Sequence, residues 1–327
     1  MMANAYGAGL LEIAIFLQHQ KVDMLGVAYV DEAIQLRQNG IHMPIMIMNP
    51  HIESFDQFER YDLQAEIFSL PYLKRLLSDT RNHPKIHIKI DTGMHRLGFS
   101  PDQLDELIQT LKENPQIEVA GIFTHFSSSD SVSEDAFTNQ QAALFGQAID
   151  QIEKALGYSP MKHACNSAGM VRWPQYHYDM VRLGIVLHGF DPTGTLALNH
   201  TSQLKTIISQ IQHLKKGETV GYSRKGKIEK DSKIAVLPIG YEDGYSRSYG
   251  NARAQVLING KLCPTIGNIC MDMMMVDVTD ADAQEGDQVI VFGKNPTIQQ
   301  LAGWSDTIPY EILTNVSNRV KRVFTSE

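Results

Sequence analysis

Several polar side chains in this chain stand at the ends of apolar runs, where folding can turn them toward a ligand. Lys89 closes Ile86-His87-Ile88-Lys89, with Arg96 shortly after it. His125 ends the run that begins at Val119, and Asn166-Ser167 follow Lys162–Cys165. Arg182 lies inside Met180-Val181-Arg182-Leu183-Gly184-Ile185. A guanidinium in an apolar run needs a partner or a ligand, because burying its charge alone is costly. A serine that opens a helix and the unobstructed amides of Gly184 and Ile185 are groups that bind phosphate. Each residue also has a plainer reading. Ser167 can be an N-cap, His125 a satisfied structural histidine, and Arg182 a member of an ion pair. The methionines from Met271 to Met275, around Asp272, read as core packing. Cys270 has no metal-ligand spacing to another cysteine or histidine, and no metal is expected.

Such residues need elements to position them. From residue 1 to about 190, short apolar runs alternate with segments whose apolar residues fall three or four apart. Strands are expected at Met2–Tyr6, Met24–Tyr29, Pro44–Asn49, Glu66–Leu70, Lys85–Asp91, Val119–Phe126, Lys162–Asn166 and Met180–Leu183. Helices are expected at Gly9–Gln18, Asp31–Asn39, Ile52–Arg60, Tyr72–Asp79, Asp102–Asn114, Glu134–Leu156 and Ser167–Arg172. Repeated βα units favour an α/β fold, a TIM-like (β/α)8 barrel over residues 1–195. A mostly β C-terminal domain is expected over 196–327, with strands at Lys205–His213, Lys233–Pro238, Ala254–Ile258, Asp272–Val278 and Gln288–Phe292. Asn259-Gly260 and Glu242-Asp243-Gly244 fit hairpin turns, and Tyr310 to Arg322 returns to a helical pattern. In a barrel the ligand-binding groups gather at the C-terminal ends of the strands. That filter selects Tyr6, Lys89, Arg96, His125, Asn166, Ser167, Arg182, Gly184 and Ile185.

Composition narrows the ligand. The chain has 327 residues, with 37 Asp and Glu against 29 Lys and Arg, a net charge of −8, and no basic stripe, which argues against nucleic acid. A hydrophobic content of 43% supports a real core. The apolar stretch Gly9–Phe16 contains Glu12 and is far shorter than a membrane span of roughly 20 residues. Three cysteines in a long chain suit free thiols in a reducing, cytoplasmic setting.

A set of ordered segments carries a family resemblance. They are Ala3-Asn4-Ala5-Tyr6-Gly7, Lys89-Ile90-Asp91-Thr92-Gly93-Met94-His95-Arg96-Leu97-Gly98, His163-Ala164-Cys165-Asn166-Ser167, Val181-Arg182-Leu183-Gly184, Val220-Gly221-Tyr222-Ser223, Ile239-Gly240-Tyr241-Glu242-Asp243-Gly244, Ile269-Cys270-Met271-Asp272 and Pro309-Tyr310-Glu311. In order and approximate spacing the chain resembles the alanine racemases. The resemblance implies a homodimer that uses pyridoxal 5'-phosphate to interconvert L- and D-alanine, with one base on each face of the substrate.

By that resemblance Tyr222 is one base, reaching the partner's site and assisted by His125, and Arg182 faces the pyridine nitrogen. Arg96 contacts the cofactor's phenolic oxygen and the substrate carboxylate. Tyr6, Ser167, Ile185 and Tyr310 hold the phosphate, with Asn166 and Gly184 beside them, and Met271 contributes an amide from the partner. Lys89 matches a lysine that is carbamylated in some members, a structural ion pair being the alternative. The Schiff-base lysine, two positions before the Asn of Asn-Ala-Tyr-Gly, is here Met2. A thioether has no basic nitrogen, so the chain as it stands is expected to be inactive. The family also has an upstream segment, so an N-terminally truncated chain is expected, its barrel starting midway through the first strand. Alternatives are another amino-acid racemase of the same fold and a non-catalytic cofactor-binding protein.

Overall fold

A computed structural model describes residues 1–49, 55–79 and 83–325. The chain forms two compact units: Met1–Ala5 with Gly9–Leu198, and Tyr6–Ala8 with Asn199–Glu327.

In the first unit six parallel strands follow chain order: β1 (Leu25–Val27), β2 (Ile45–Ile47), β3 (Gln64–Ile67), β4 (Ile86–Lys89), β5 (Val119–Phe123) and β6 (Met161–His163). Their apolar residues are nearly all fully buried, as parallel strands covered on both faces require. The helices between them are amphipathic. Leu104–Glu113 buries Leu104, Leu107 and Leu111, and Asp135–Leu156 buries Ala142, Phe145, Ile149 and Ile152 before ending at the left-handed Gly157. The architecture is a β/α barrel, with two expected strands taking other forms. Met2–Tyr6 is a left-handed turn, φ between 52° and 56° from Ala3 to Tyr6, closed by Ala5 N–H donating to Met1 O at 2.9 Å. Ala-Asn-Ala offers no β-branched side chain to hold a pleat, and Asn tolerates that region of backbone space. Met180–Leu183 runs beside β6 and makes one parallel bridge, Met180 to His163, before Gly184 redirects it. The third strand lies two residues earlier than expected, because Leu70 begins the helix Leu70–Asp79. Of the expected helix Ile52–Arg60, residues 52–54 lie outside the described residues, and Phe55–Arg60 is helical.

Register stacks the inward-facing side chains. Glu66 pairs with His87, and His87 with Gly121; Lys89 pairs with Phe123, and Phe123 with His163. Gly121 is required here: a Cβ on it would lie 2.2 Å from His87 Nδ1.

In the second unit antiparallel pairing dominates. β9 (Ser232–Leu237) lies between β8 (Gln210–Leu214) and β12 (Met274–Asp277). A four-stranded sheet runs β11 (Lys261–Pro264), β10 (Gln255–Ile258), β13 (Gln288–Phe292), β7 (Leu204–Ile207). The expected single strand Lys205–His213 is thus two strands in two sheets, broken at Ile208-Ser209. Asn259-Gly260 makes the expected hairpin, both residues at positive φ between Ile258 and Lys261. Glu242-Asp243-Gly244 instead closes a short 3₁₀ turn, Tyr241–Asp243. The helix Ile298–Ser305 has no counterpart in the expected pattern. In the tail only Pro309–Thr314 is helical, because Arg322 takes the carbonyls of Val316, Ser317 and Val320 that a longer helix would use.

Arg322 also donates from Nε and Nη2 to Gly7 O at 3.1 and 2.9 Å. Gly7 has φ 78°, and a Cβ there would meet Leu313 O at 2.1 Å. Gly7→Ala is expected to cost about 3 kcal/mol in urea unfolding through backbone strain and this clash. A variant within 0.5 kcal/mol of the parent, about the size of a neutral surface change, would refute the close approach.

Candidate active site

Polar groups at the C-terminal ends of the barrel strands are organised around Arg182. Its Nη1 bonds His163 Nδ1 at 2.8 Å, and its Nη2 donates to Thr124 O at 2.7 Å and Ala164 O at 2.9 Å, with His125 Nδ1 at 3.3 Å. These acceptors end or follow β5 and β6, so the guanidinium sits at strand C-termini. Every one of them is neutral, and among the described residues no carboxylate pairs with Arg182. Its Nε makes no hydrogen bond among the described residues, leaving one directed donor for a ligand.

The network extends inward: His163 Nε2 meets His87 Nδ1 at 3.2 Å, and His87 Nε2 meets Gln64 Oε1 at 2.7 Å. Burial, and then Arg182, hold all three imidazoles below the usual histidine range: His87 at about 4, with His125 and His163 also well lowered. They are neutral at pH 7, as acceptors beside a guanidinium must be. Phe123 is stacked on His163, ring centroids 4.7 Å apart, with Arg182 Cζ 5.3 Å and Lys89 Nζ 5.4 Å from its own centroid. Lys89 Nζ is 3.1 Å from Glu66 Oε1, and both side chains are buried.

The loops after the strands are fixed by amides and hydroxyls. Asn166, not Ser167, caps the helix Ser167–Arg172, accepting from Gly169 N–H at 2.9 Å. The Ser167 hydroxyl is used differently: it accepts from Gly184 N–H at 3.0 Å, tying the loop after β6 to the one that carries Ile185. Buried Gln141 holds the His125 loop, donating to His125 O and accepting from Ser127 N–H. Arg96 is exposed and makes no hydrogen bond among the described residues.

The second unit carries the remaining candidates. Tyr6 and Tyr310 stand with ring centroids 6.1 Å apart, and burial raises the Tyr6 phenol. Tyr222 is 68% exposed in a short turn after Gly221, and Asn268 donates to its carbonyl at 3.2 Å. Met271 is 52% exposed, its backbone carbonyl accepting from Glu242 N–H. The methionine stripe divides: Met274 and Met275 are core, Met271 and Met273 face out.

Sequence reading missed Glu66, His87, His163 and Gln64 as members of the inner network. A signal was present: polar residues at alternate positions of Gln64-Ala65-Glu66-Ile67 and Ile86-His87-Ile88-Lys89 share one face of their strands.

The fold is that of a β/α-barrel enzyme followed by a mostly β domain, with its polar candidates gathered at the C-terminal ends of the barrel strands. Residues 3–192 match the alanine racemase N-terminal domain, and residues 201–324 the alanine racemase C-terminal domain. The chain belongs to the alanine racemase family, whose members are isomerases. It is 36% identical to the alanine racemase of Clostridium tetani, over 98% of this chain and 87% of that one. It is 37% identical to that of Helicobacter pylori, over 98% and 90%. Among solved structures it is similar to the alanine racemase of D-cycloserine-producing Streptomyces lavendulae, TM-score 0.94 at 28% identity, over all of this chain and 89% of that one.

Proposed function

We propose that this chain carries the cofactor and substrate site of an alanine racemase and, with Met2 where the tethering lysine belongs, holds pyridoxal phosphate noncovalently without turning over alanine. The observation that supports it best is Arg182: a half-buried cation with neutral partners and a spare Nε donor suits the unprotonated nitrogen of a pyridine ring. The hydroxyls of Tyr6, Ser167 and Tyr310 and the amide of Ile185 suit the phosphate. Held there, pyridoxal phosphate would supply an electron sink for the Cα of alanine.

The chain's own residues supply the rest. An arginine that only donates keeps the ring nitrogen unprotonated, which limits delocalisation and so restrains transamination. Arg96 and the Met271 amide suit the substrate carboxylate. Tyr222 holds the proton on one face, reaching the partner's site in a homodimer; the exposure of Tyr222 and Met271 supports that arrangement. On the other face Met2 can neither take nor return a proton.

Incubated with pyridoxal phosphate, the protein is expected to bind the cofactor reversibly, losing it on prolonged dialysis, to form no D-alanine from L-alanine, and to show no borohydride-stable mass increase on the N-terminal peptide. Turnover near that of an ordinary racemase would overturn this reading.

A further inference from the structure

Glu66 is an acid at the heart of the barrel to which nothing above assigns a role. Its side chain is fully buried. Oε1 is 3.1 Å from Lys89 Nζ without good hydrogen-bond alignment, and Oε2 has no hydrogen-bond partner among the described residues. A buried carboxylate in that position needs a cation, and Lys89 from the adjacent strand is the one in contact. We propose that Glu66 is the built-in counter-ion of Lys89, holding it as an unmodified ammonium, so that this site takes its anion from the chain rather than from a carbamate made on the lysine.

Three features carry the proposal, which deepens the family reading of the site. First, carbamate formation needs a free amine lone pair: the nitrogen attacks CO2, an N–C bond forms, and one proton leaves. Contact with Glu66 keeps that lone pair protonated. Second, the product would be an anion set against the Glu66 carboxylate, two like charges in a buried space. Third, Lys89 Nζ lies over the face of Phe123, whose negative quadrupole favours a cation and disfavours an anion. Burial opposes both charges, raising the Glu66 carboxyl and lowering the Lys89 amine. Their mutual attraction opposes each shift, and Arg182 and Arg96 add to the stabilisation of the Glu66 carboxylate. With Lys89 neutralised by Glu66, the half-buried Arg182 is left as the cation that an anionic ligand can balance.

The test is carbon NMR of the protein incubated with 13C-labelled bicarbonate, joined to thermal unfolding of Glu66→Gln, Lys89→Met and the double variant. The parent is expected to show no carbamate resonance that depends on Lys89. Glu66→Gln is expected to melt several degrees lower, and adding Lys89→Met to recover at least half of that loss, because the uncompensated cation is then gone. A Lys89-dependent carbamate in the parent, or a double variant no more stable than Glu66→Gln, would overturn the pairing. If Glu66→Gln does not fold, the parent's spectrum decides alone. Neither measurement uses pyridoxal phosphate, so failure to bind cofactor would refute the functional reading and leave this one standing.

Discussion

A Met2→Lys variant is expected to convert this protein from a noncovalent cofactor binder into a racemase. Reduction with borohydride in the presence of pyridoxal phosphate should leave the cofactor's mass on the N-terminal peptide. D-alanine formation should rise by about a hundredfold to ten-thousandfold over the parent, the range that a positioned acid-base group contributes. Lysine and methionine have similar length, so the exchange adds an amine with little change in shape. The backbone there is held in place, with Ala3 N–H donating to Glu32 Oε1 at 3.0 Å and Ala5 N–H to Met1 O at 2.9 Å. Met2→Arg is the control, since a guanidinium has charge but no free lone pair near neutral pH. Equal, negligible activity in both variants, with no trapped mass on residue 2, would show that the missing amine is not what separates this chain from its relatives.

Acidification is expected to unfold the barrel unit between about pH 6.5 and 4.5. Unfolded histidines titrate near 6.5. In the folded chain burial and Arg182 depress His87, His125 and His163, and burial also lowers His188 to about 4. Below pH 6.5 the unfolded chain therefore binds more protons than the folded one. Stability, full above that pH, falls by about 1.4 kcal/mol per pH unit for each histidine that stays neutral in the fold. Glu66 acts in the opposite sense, because its raised carboxyl takes up a proton in the fold first, but one group does not offset several. The total rivals the roughly 5–15 kcal/mol of a typical domain. Melting temperatures at pH 7, 6 and 5 check this, and His163→Asn should flatten the slope. A melting temperature that holds steady or rises on acidification would refute the neutral-histidine network.

Local sequence was informative about some features and silent about others. Apolar periodicity located most barrel strands and helices, because burial of one face is written into three- and four-residue spacing. It misread Met2–Tyr6 and the tail, where the backbone is satisfied by a left-handed turn and by the Arg322 side chain rather than by a regular ladder. Ser167 illustrates the same limit within the site. Its type suited a cap, yet Asn166 takes that role, and the hydroxyl binds an amide from a loop that approaches only on folding. Arg182 could be recognised as anomalous in an apolar run, but not as a hub whose partners come from two other segments.

By itself the sequence determined the family, through ordered motifs that span the whole chain, and determined the absence of a basic nitrogen at residue 2. Both are properties of residue identity at a position, which no folding event changes. Only the tertiary structure decided that Glu66 lies against Lys89, that two imidazoles, His87 and His163, connect Gln64 to Arg182, and that Tyr6 and Tyr310 meet. Those facts arise from parallel register and long-range packing, which join residues far apart in the chain and which short-range periodicity does not encode.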